Sequence, residues 1–275
     1  MSYQETLKKH LAEYKLRDLS ISESGVFLYQ GEERKLPHIL PFADRSHNLL
    51  KEAAPALEKY PRIKLHRYFH HLNSSQALAL NLFFPYFEGG PESAAALLRA
   101  LGREGVLASW EPEAIPDLVE ASNIDALWTT ADGTKTFCEV KLSEIGFGKA
   151  MNDERHRKKL DEVYREKLAP HLTPDQLERS SFFNGYQFYR NVWHMLADER
   201  SRLIFLLPRA NSDLWNHLGQ LLSGVVLPTR NRIDQVAIED VIARLLTDEQ
   251  CPLPMRQYAK KLERKYLIAA SGLIE

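Results

Sequence analysis

The sequence predicts an α/β or α+β fold in which helices flank a central mixed β-sheet. Two runs within residues 118–142 alternate apolar and polar residues as β-strands do, and apolar residues recur with helical spacing before and after them. Further helical patterns then alternate with short apolar runs, and no internal repeat or low-complexity tract interrupts them. The 275 residues, 44% of them hydrophobic, are enough for one large core or two modest ones.

The elements before the two strand-like runs are mainly helical. A short strand is expected at residues 25–29, and helices are expected at residues 3–14, 46–58, 74–85 and 92–101. Pro85 is expected to end the third helix, because proline lacks an amide hydrogen and clashes with the preceding turn. Asp132-Gly133 then predicts the turn of a β-hairpin.

Helices and strands alternate after the hairpin. Strands are expected at residues 202–207 and 224–227, and helices at residues 149–168, 174–180, 184–198, 238–246 and 254–268. We divide the chain into an N-terminal accessory segment (1–60), a main domain (60–248) and a C-terminal helix packed on that domain (249–275).

The charge balance limits the class of protein. The chain has 36 Lys and Arg residues against 37 Asp and Glu residues, which gives a net charge of −1. This excludes a strongly cationic coat protein for nucleic acid but allows binding through a local patch. No apolar run is long enough to cross a bilayer and no signal peptide is recognisable, so we expect a cytoplasmic protein without a membrane partner.

Three ionisable residues of the hairpin are the candidate catalytic residues, namely Asp125, Glu139 and Lys141. Glu139 and Lys141 lie two positions apart on one strand and therefore share a face of the sheet. A three-residue loop, with Gly133 in its left-handed position, sets Asp125 opposite Glu139. A two-residue turn would instead set Asp125 opposite Val140, on the wrong face.

Facing carboxylates repel each other unless a cation lies between them. Their hard oxygen atoms favour Mg²⁺ or Mn²⁺, and a neighbouring lysine can orient an attacking water molecule. The residues therefore predict phosphodiester hydrolysis, whereas the alternative interpretation is a hairpin face whose charged side chains are merely solvated.

At these residues the chain resembles the PD-(D/E)XK nuclease superfamily, which includes restriction endonucleases and repair nucleases. The resemblance lies in Asp125 and in Glu139-Val140-Lys141 after the hairpin turn. It also lies in the predicted order of helix, β-meander, helix and strand over residues 74–207. Ile124 stands where the family motif has its proline.

This resemblance implies a restriction-endonuclease-like core and a Mg²⁺- or Mn²⁺-dependent nuclease, most simply a DNA endonuclease. Asp125 and Glu139 would hold the metal together with the backbone carbonyl of Val140, and Lys141 would assist the water. Gln187, on the helix after the motif, matches a glutamine that some branches place near the site. Restriction enzymes often act as dimers, so the resemblance also allows a homodimer.

Other residues are weaker candidates. Glu120 is either a further acid for a second metal or an ordinary loop carboxylate. Candidate nucleic-acid contacts are Arg62, Lys64, Arg67 and Arg190, and residues 256–265 form a second basic stripe. The sequence does not separate DNA from RNA as the substrate. Two alternatives stay open, namely a catalytically silent nuclease-fold subunit for binding or assembly and an unrelated α/β enzyme or interaction protein.

Overall fold

The structure is a computed structural model, and it describes residues 1–268. The α-helices in this part of the chain are α1 (Tyr3–Asp18), α2 (Ala56–Lys59), α3 (Ser75–Glu88), α4 (Pro91–Ala100), α5 (Glu154–Lys159), α6 (Arg165–Leu168), α7 (Arg179–Asn184), α8 (Tyr186–Met195), α9 (Ser212–Ser223), α10 (Leu227–Arg230), α11 (Ile238–Thr247) and α12 (Leu253–Tyr266). The strands are β1 (Gly25–Tyr29), β2 (Glu32–Leu36), β3 (Leu107–Ala114), β4 (Ile124–Thr130), β5 (Lys135–Val140), β6 (Arg202–Leu207) and β7 (Ile233–Ala237). None of these described helices combines the length and the apolar character that crossing a membrane requires.

The chain forms two compact units. One contains residues 1–106 and the described chain from Ile238 onward, and the other is Leu107–Ala237. The chain therefore passes between units near residues 106 and 237, while the domain boundaries expected at residues 60 and 248 stay a prediction.

The first unit is helical apart from the β1–β2 hairpin. Helix α12 packs against α1, α3 and α11, and α4 packs against α3 and α11. Polar side chains organise part of its core: the Asn81 amide donates to the Asn48 carbonyl at 3.0 Å, and the Lys265 ammonium donates to Asn48 Oδ1 at 2.9 Å. Lys265 is fully buried, so it does not belong to the basic surface stripe expected at residues 256–265.

The second unit is built on a five-stranded sheet with the order β3-β4-β5-β6-β7. Strands β3 to β5 form an antiparallel meander, and β6 and β7 continue the sheet parallel to β5. Helix α8 packs against β5 and β6, where Phe188 stacks on Phe205 with ring centroids 5.4 Å apart. A mixed sheet flanked by helices confirms the predicted α+β class.

The turn between β4 and β5 has the predicted three-residue loop. Thr129 pairs with Lys135, and the Thr130 amide donates to the Thr134 carbonyl at 3.0 Å. Gly133 has φ +83°, which is the left-handed conformation that glycine adopts without steric cost. The register predicted from the loop length is therefore confirmed.

Three predicted elements were wrong. Helix α3 continues through Pro85 to Glu88, because burial of nearly all its side chains offsets the proline. Residues 46–58 form no single helix but a 3₁₀ turn (Phe42–Asn48) and the short α2. In place of the strand expected at 224–227, Val225 makes only an isolated bridge and α10 begins at Leu227.

Candidate carboxylate–lysine site

Asp125 and Glu139 face each other at the open end of the β4–β5 hairpin. The paired residues run from Thr129 with Lys135 to Ala126 with Cys138, so the next positions along the two strands are Asp125 and Glu139. Opposite residues of an antiparallel pair lie on the same face of the sheet. Glu139 is 2% exposed, whereas Asp125 is half-buried.

Asp125 is held by the backbone of the neighbouring strand. The Val140 amide donates to Asp125 Oδ2 at 2.7 Å. The amide and carbonyl of one strand residue point to the same side, so the Val140 carbonyl also faces the β4 side of the sheet. Burial, followed by the charges of Glu139 and Glu113, raises the pKa of Asp125 well above its usual value.

Helix α8 supplies the side chains that fix Glu139. Gln187 Nε2 donates to Glu139 Oε1 at 2.5 Å, and Asn191 Nδ2 donates to Glu139 Oε2 at 2.9 Å. The Lys141 ammonium lies 2.8 Å from Glu139 Oε1 and donates to Gln187 Oε1 at 2.7 Å. Gln187 therefore bridges the acid and the base, which fixes both side chains in one orientation.

Lys141 is charged in this arrangement. Burial lowers the pKa of Lys141, but the carboxylates of Glu139, Glu144 and Asp125 outweigh it and raise the pKa above its usual value. Its side chain lines a cavity of about 640 Å³ together with Glu144, Gln187 and His217. Lys141 thus borders a space that a ligand can enter.

The donor set fits a divalent cation. Two carboxylates and a backbone carbonyl are hard oxygen ligands, and Mg²⁺ usually takes one or two protein carboxylates and keeps several water molecules. Burial and then the charge of Glu139 raise the pKa of Asp125, and a cation beside Glu139 would offset the effect of that charge. Among residues 1–268, no group of three or more His, Cys, Asp and Glu side chains is placed to hold a metal ion, so Asp125, Glu139 and the Val140 carbonyl stay predicted ligands.

Glu120 belongs to a separate network. Its Oε1 accepts hydrogen bonds from Lys159 Nζ at 2.7 Å and from the Tyr164 hydroxyl at 2.5 Å. Its Oε2 is 3.2 Å from His194 Nε2 and also accepts from Ser122. Burial raises the pKa of Glu120, but these hydrogen bonds outweigh it and hold the pKa far below its usual value. The hydrogen bonds to its two carboxylate oxygens hold the loop before β4 in place.

Three residues near the carboxylates were not predicted from the sequence. Asn191 follows Gln187 by four positions, so both lie on one face of α8. Glu113 lies on β3 between the partners of Ala126 and Ile124, which sets it across from Asp125. Glu144 Oε2 accepts a hydrogen bond from the Leu142 amide at 2.7 Å, just beyond β5. The spacing of Gln187 and Asn191 was a usable signal; the other two needed the fold.

The predicted nucleic-acid contacts fall into both units. Arg190 lies on α8 beside Asn191 and donates to the Asn123 carbonyl at 3.2 Å, next to the start of β4. Arg62, Lys64 and Arg67 are exposed side chains of the first unit. Arg190 is therefore the only member of the predicted set that shares a compact unit with Asp125 and Glu139.

The fold and the site define an α+β protein with a carboxylate–lysine cluster at the open end of a β-hairpin. The family model described as restriction endonuclease associating with ARP matches residues 8–267, and the chain belongs to this family. The family description indicates a nuclease-type function with nucleic acid as the partner. No curated protein and no solved structure matches the chain.

Proposed function

We propose that this protein is a Mg²⁺- or Mn²⁺-dependent nuclease of the PD-(D/E)XK type, most simply a DNA endonuclease. One observation carries the proposal: the hairpin register sets Asp125 opposite Glu139, and Lys141 is ion-paired with Glu139 at 2.8 Å. Membership of a restriction endonuclease family supports it independently.

The proposed ligands are Asp125, Glu139 and the backbone carbonyl of Val140. A divalent cation, when bound, supplies positive charge to the phosphate and lowers the pKa of a coordinated water. The Lys141 ammonium lies close enough to Glu139 to orient the attacking water and to stabilise negative charge that develops on the phosphate. Gln187 contributes by holding Lys141 and Glu139 in a fixed relation.

A cleavage assay on duplex DNA with Mg²⁺ or Mn²⁺ tests the proposal. The double variant Asp125→Asn/Glu139→Gln keeps the side-chain shapes but removes both negative charges. We expect its cleavage rate to fall by about a hundredfold or more, because carboxylate ligands of the metal are lost. An RNA substrate of the same sequence, run in parallel, separates the two kinds of nucleic acid.

The matched control is Asp161→Asn/Glu166→Gln, which removes two exposed acids from the same unit. It should cleave at the wild-type rate. Wild-type cleavage by the Asp125→Asn/Glu139→Gln variant would refute the assignment of the site. Absence of cleavage by the wild-type protein on DNA and RNA with either metal would refute the proposed activity.

A further inference from the structure

A second cavity lies in the same unit as the carboxylates. It has a volume of about 510 Å³ and is lined by residues of the loop before β4, of α5 and the π-helical turn after it (Leu160–Tyr164), and of α8. Tyr186 and Arg190 of α8 line it, while Gln187 and Asn191 of the same helix contact Glu139. One helix thus joins this cavity to the carboxylate–lysine site.

Cations predominate in the lining of the cavity. Its basic residues are Arg155, Lys158, Lys159 and Arg190, and its acids are Glu120 and Glu162. The Glu120 charge is already engaged by Lys159 and faces His194. Glu162 lies 3.9 Å from Lys158, and both side chains are mostly exposed, so this pair is weak. The cavity therefore keeps uncompensated positive charge.

Arg155 and Arg190 carry that charge. Within residues 1–268, neither guanidinium has a carboxylate at ion-pair distance. Arg190 donates to the Asn123 carbonyl at 3.2 Å and to Asn191 Oδ1 at 3.4 Å. A guanidinium has five N–H donors, so three of those on Arg190 remain for a ligand. Its planar donor geometry suits the oxygen atoms of a phosphate.

We propose that this basic cavity binds a phosphate group of the nucleic-acid strand, with Arg190 as the central ligand and Arg155 and Lys158 at the rim. The proposal rests on the proposed nuclease function for its choice of ligand. Phosphate contacts fix the register of a strand on a protein without reading its sequence. Since the loop that leads to Asp125 lines the cavity, a phosphate bound there positions another phosphodiester at the carboxylates.

Fluorescence anisotropy with a labelled oligonucleotide, measured in EDTA so that no metal-dependent cleavage occurs, tests this assignment. Arg190→Ala should weaken binding about tenfold and reduce the slope of log affinity against log salt by about one. Arg155→Ala/Lys158→Ala changes two exposed side chains and keeps the Arg190 contacts to the loop. It should weaken binding by a similar factor and reduce the slope by about two.

The matched control is Arg179→Ala, which removes an exposed cation that lies outside the cavity and within 3.6 Å of Asp161. Its affinity and salt slope should equal those of the wild type. Thermal unfolding of each variant checks that the fold is retained. Wild-type affinity and slope for Arg155→Ala/Lys158→Ala and for folded Arg190→Ala would overturn the proposal.

Oligonucleotides with a 5′-phosphate or a 5′-hydroxyl separate two sources of the phosphate. Equal loss of affinity for both in the Arg190→Ala variant assigns the cavity to an internal phosphate, and loss for the 5′-phosphorylated strand alone assigns it to a terminal one. If the wild-type protein binds the oligonucleotide, the variants lose affinity as expected, and the wild type cleaves nothing in Mg²⁺ or Mn²⁺, the phosphate assignment stands and the nuclease function is refuted. Cleavage together with unchanged binding by the variants would refute the cavity assignment alone.

Discussion

The two facing carboxylates are held differently. Glu139 is buried, accepts hydrogen bonds from the side-chain amides of Gln187 and Asn191, and is ion-paired with Lys141. Asp125 accepts one backbone hydrogen bond, from Val140, and its pKa is raised by burial and by Glu139. A cation that binds between them would favour the ionised form of Asp125 and so lower its pKa.

Glu120 lies in the loop that leads to Asp125, where its buried carboxylate is ion-paired with Lys159. We expect Glu120→Gln to lower the free energy of unfolding by about 2–3 kcal/mol, because the buried carboxylate loses its ion pair with Lys159 and its contact with His194. Urea denaturation at pH 7 measures this loss. Glu166→Gln, at an exposed position, should change the unfolding free energy by less than about 0.5 kcal/mol.

The contribution of Glu120 to the free energy of unfolding should decrease at low pH. Hydrogen bonds hold the folded-state pKa of Glu120 below its ordinary value of 4.5. Its stabilisation is therefore fully present above that pH and is lost as the pH falls toward the folded-state pKa. The stability difference between wild type and Glu120→Gln should shrink below pH 4.5, and a difference that grows there would contradict the assignment.

At the scale of elements, the β4–β5 hairpin determines which residues meet. Gly133 has φ +83°, and an added Cβ would lie 3.2 Å from the Arg200 guanidinium. We expect Gly133→Ala to lower the unfolding free energy by about 1 kcal/mol, since alanine rarely adopts that conformation.

Gly219 provides the opposite case. It lies within α9, and an added Cβ would meet no atom within 4 Å. Gly219→Ala should therefore raise the unfolding free energy by about 0.5–1 kcal/mol, because alanine has the higher helix propensity. Equal effects of the two substitutions in urea denaturation would contradict the assigned turn conformation.

Elements with local signals were predicted, and elements stabilised by their neighbours were not. The β4–β5 hairpin has alternating residues around Asp132-Gly133, and β6 is a compact apolar run. Strand β3 was missed because it contains Pro112 and two glutamates, which its position at the edge of the sheet tolerates. Strand β7, at the other edge, was also missed, as were β2 and α9.

The same distinction applies to the site. The sequence predicted that Asp125, Glu139 and Lys141 lie together, because strand alternation and loop length are local properties of the chain. The hydrogen bond from Asn191 to Glu139 spans 52 residues and depends on how α8 packs on β5. Glu113 could not be placed, because its strand was not recognised.

At the scale of the whole molecule, the net charge of −1 is the sum of opposite local charges. The carboxylates Asp125 and Glu139 lie in the same unit as the cavity lined by Arg155 and Arg190. The basic stripe at residues 256–265 is smaller than the sequence indicated, because Lys265 is buried. Near-neutrality is therefore compatible with a local nucleic-acid site.

Lys265 should make the stability of the protein depend on pH. Its Nζ donates to Asn48, its backbone carbonyl lies 3.1 Å from His10 Nε2, and burial lowers its pKa to about 7. The unfolded lysine keeps its proton up to a pH near 10.5, so the unfolded state binds more protons above pH 7. The unfolding free energy should rise between pH 7 and 9.5, by at most about 1.4 kcal/mol per pH unit.

Urea denaturation at pH 6.5, 8 and 9.5 measures this slope. Lys265→Met keeps the length of the side chain without a titratable group, and its stability should rise less over this range than that of the wild type. Above pH 10 the buried Tyr14 and Tyr266 act in the opposite direction, because burial raises the pKa of each in the folded state. Identical slopes for wild type and variant would contradict the assignment.

The proposed nuclease function depends on a divalent-metal site formed by Asp125 and Glu139. Anomalous diffraction from a crystal soaked in Mn²⁺ tests this site, because it locates the ion without requiring activity or a substrate. We expect an anomalous peak between the two carboxylates, within about 2.0–2.4 Å of an oxygen atom of each and near the Val140 carbonyl. If the Asp125 and Glu139 side chains are ordered in a Mn²⁺-saturated crystal and no anomalous peak lies between them, the proposed metal site is wrong.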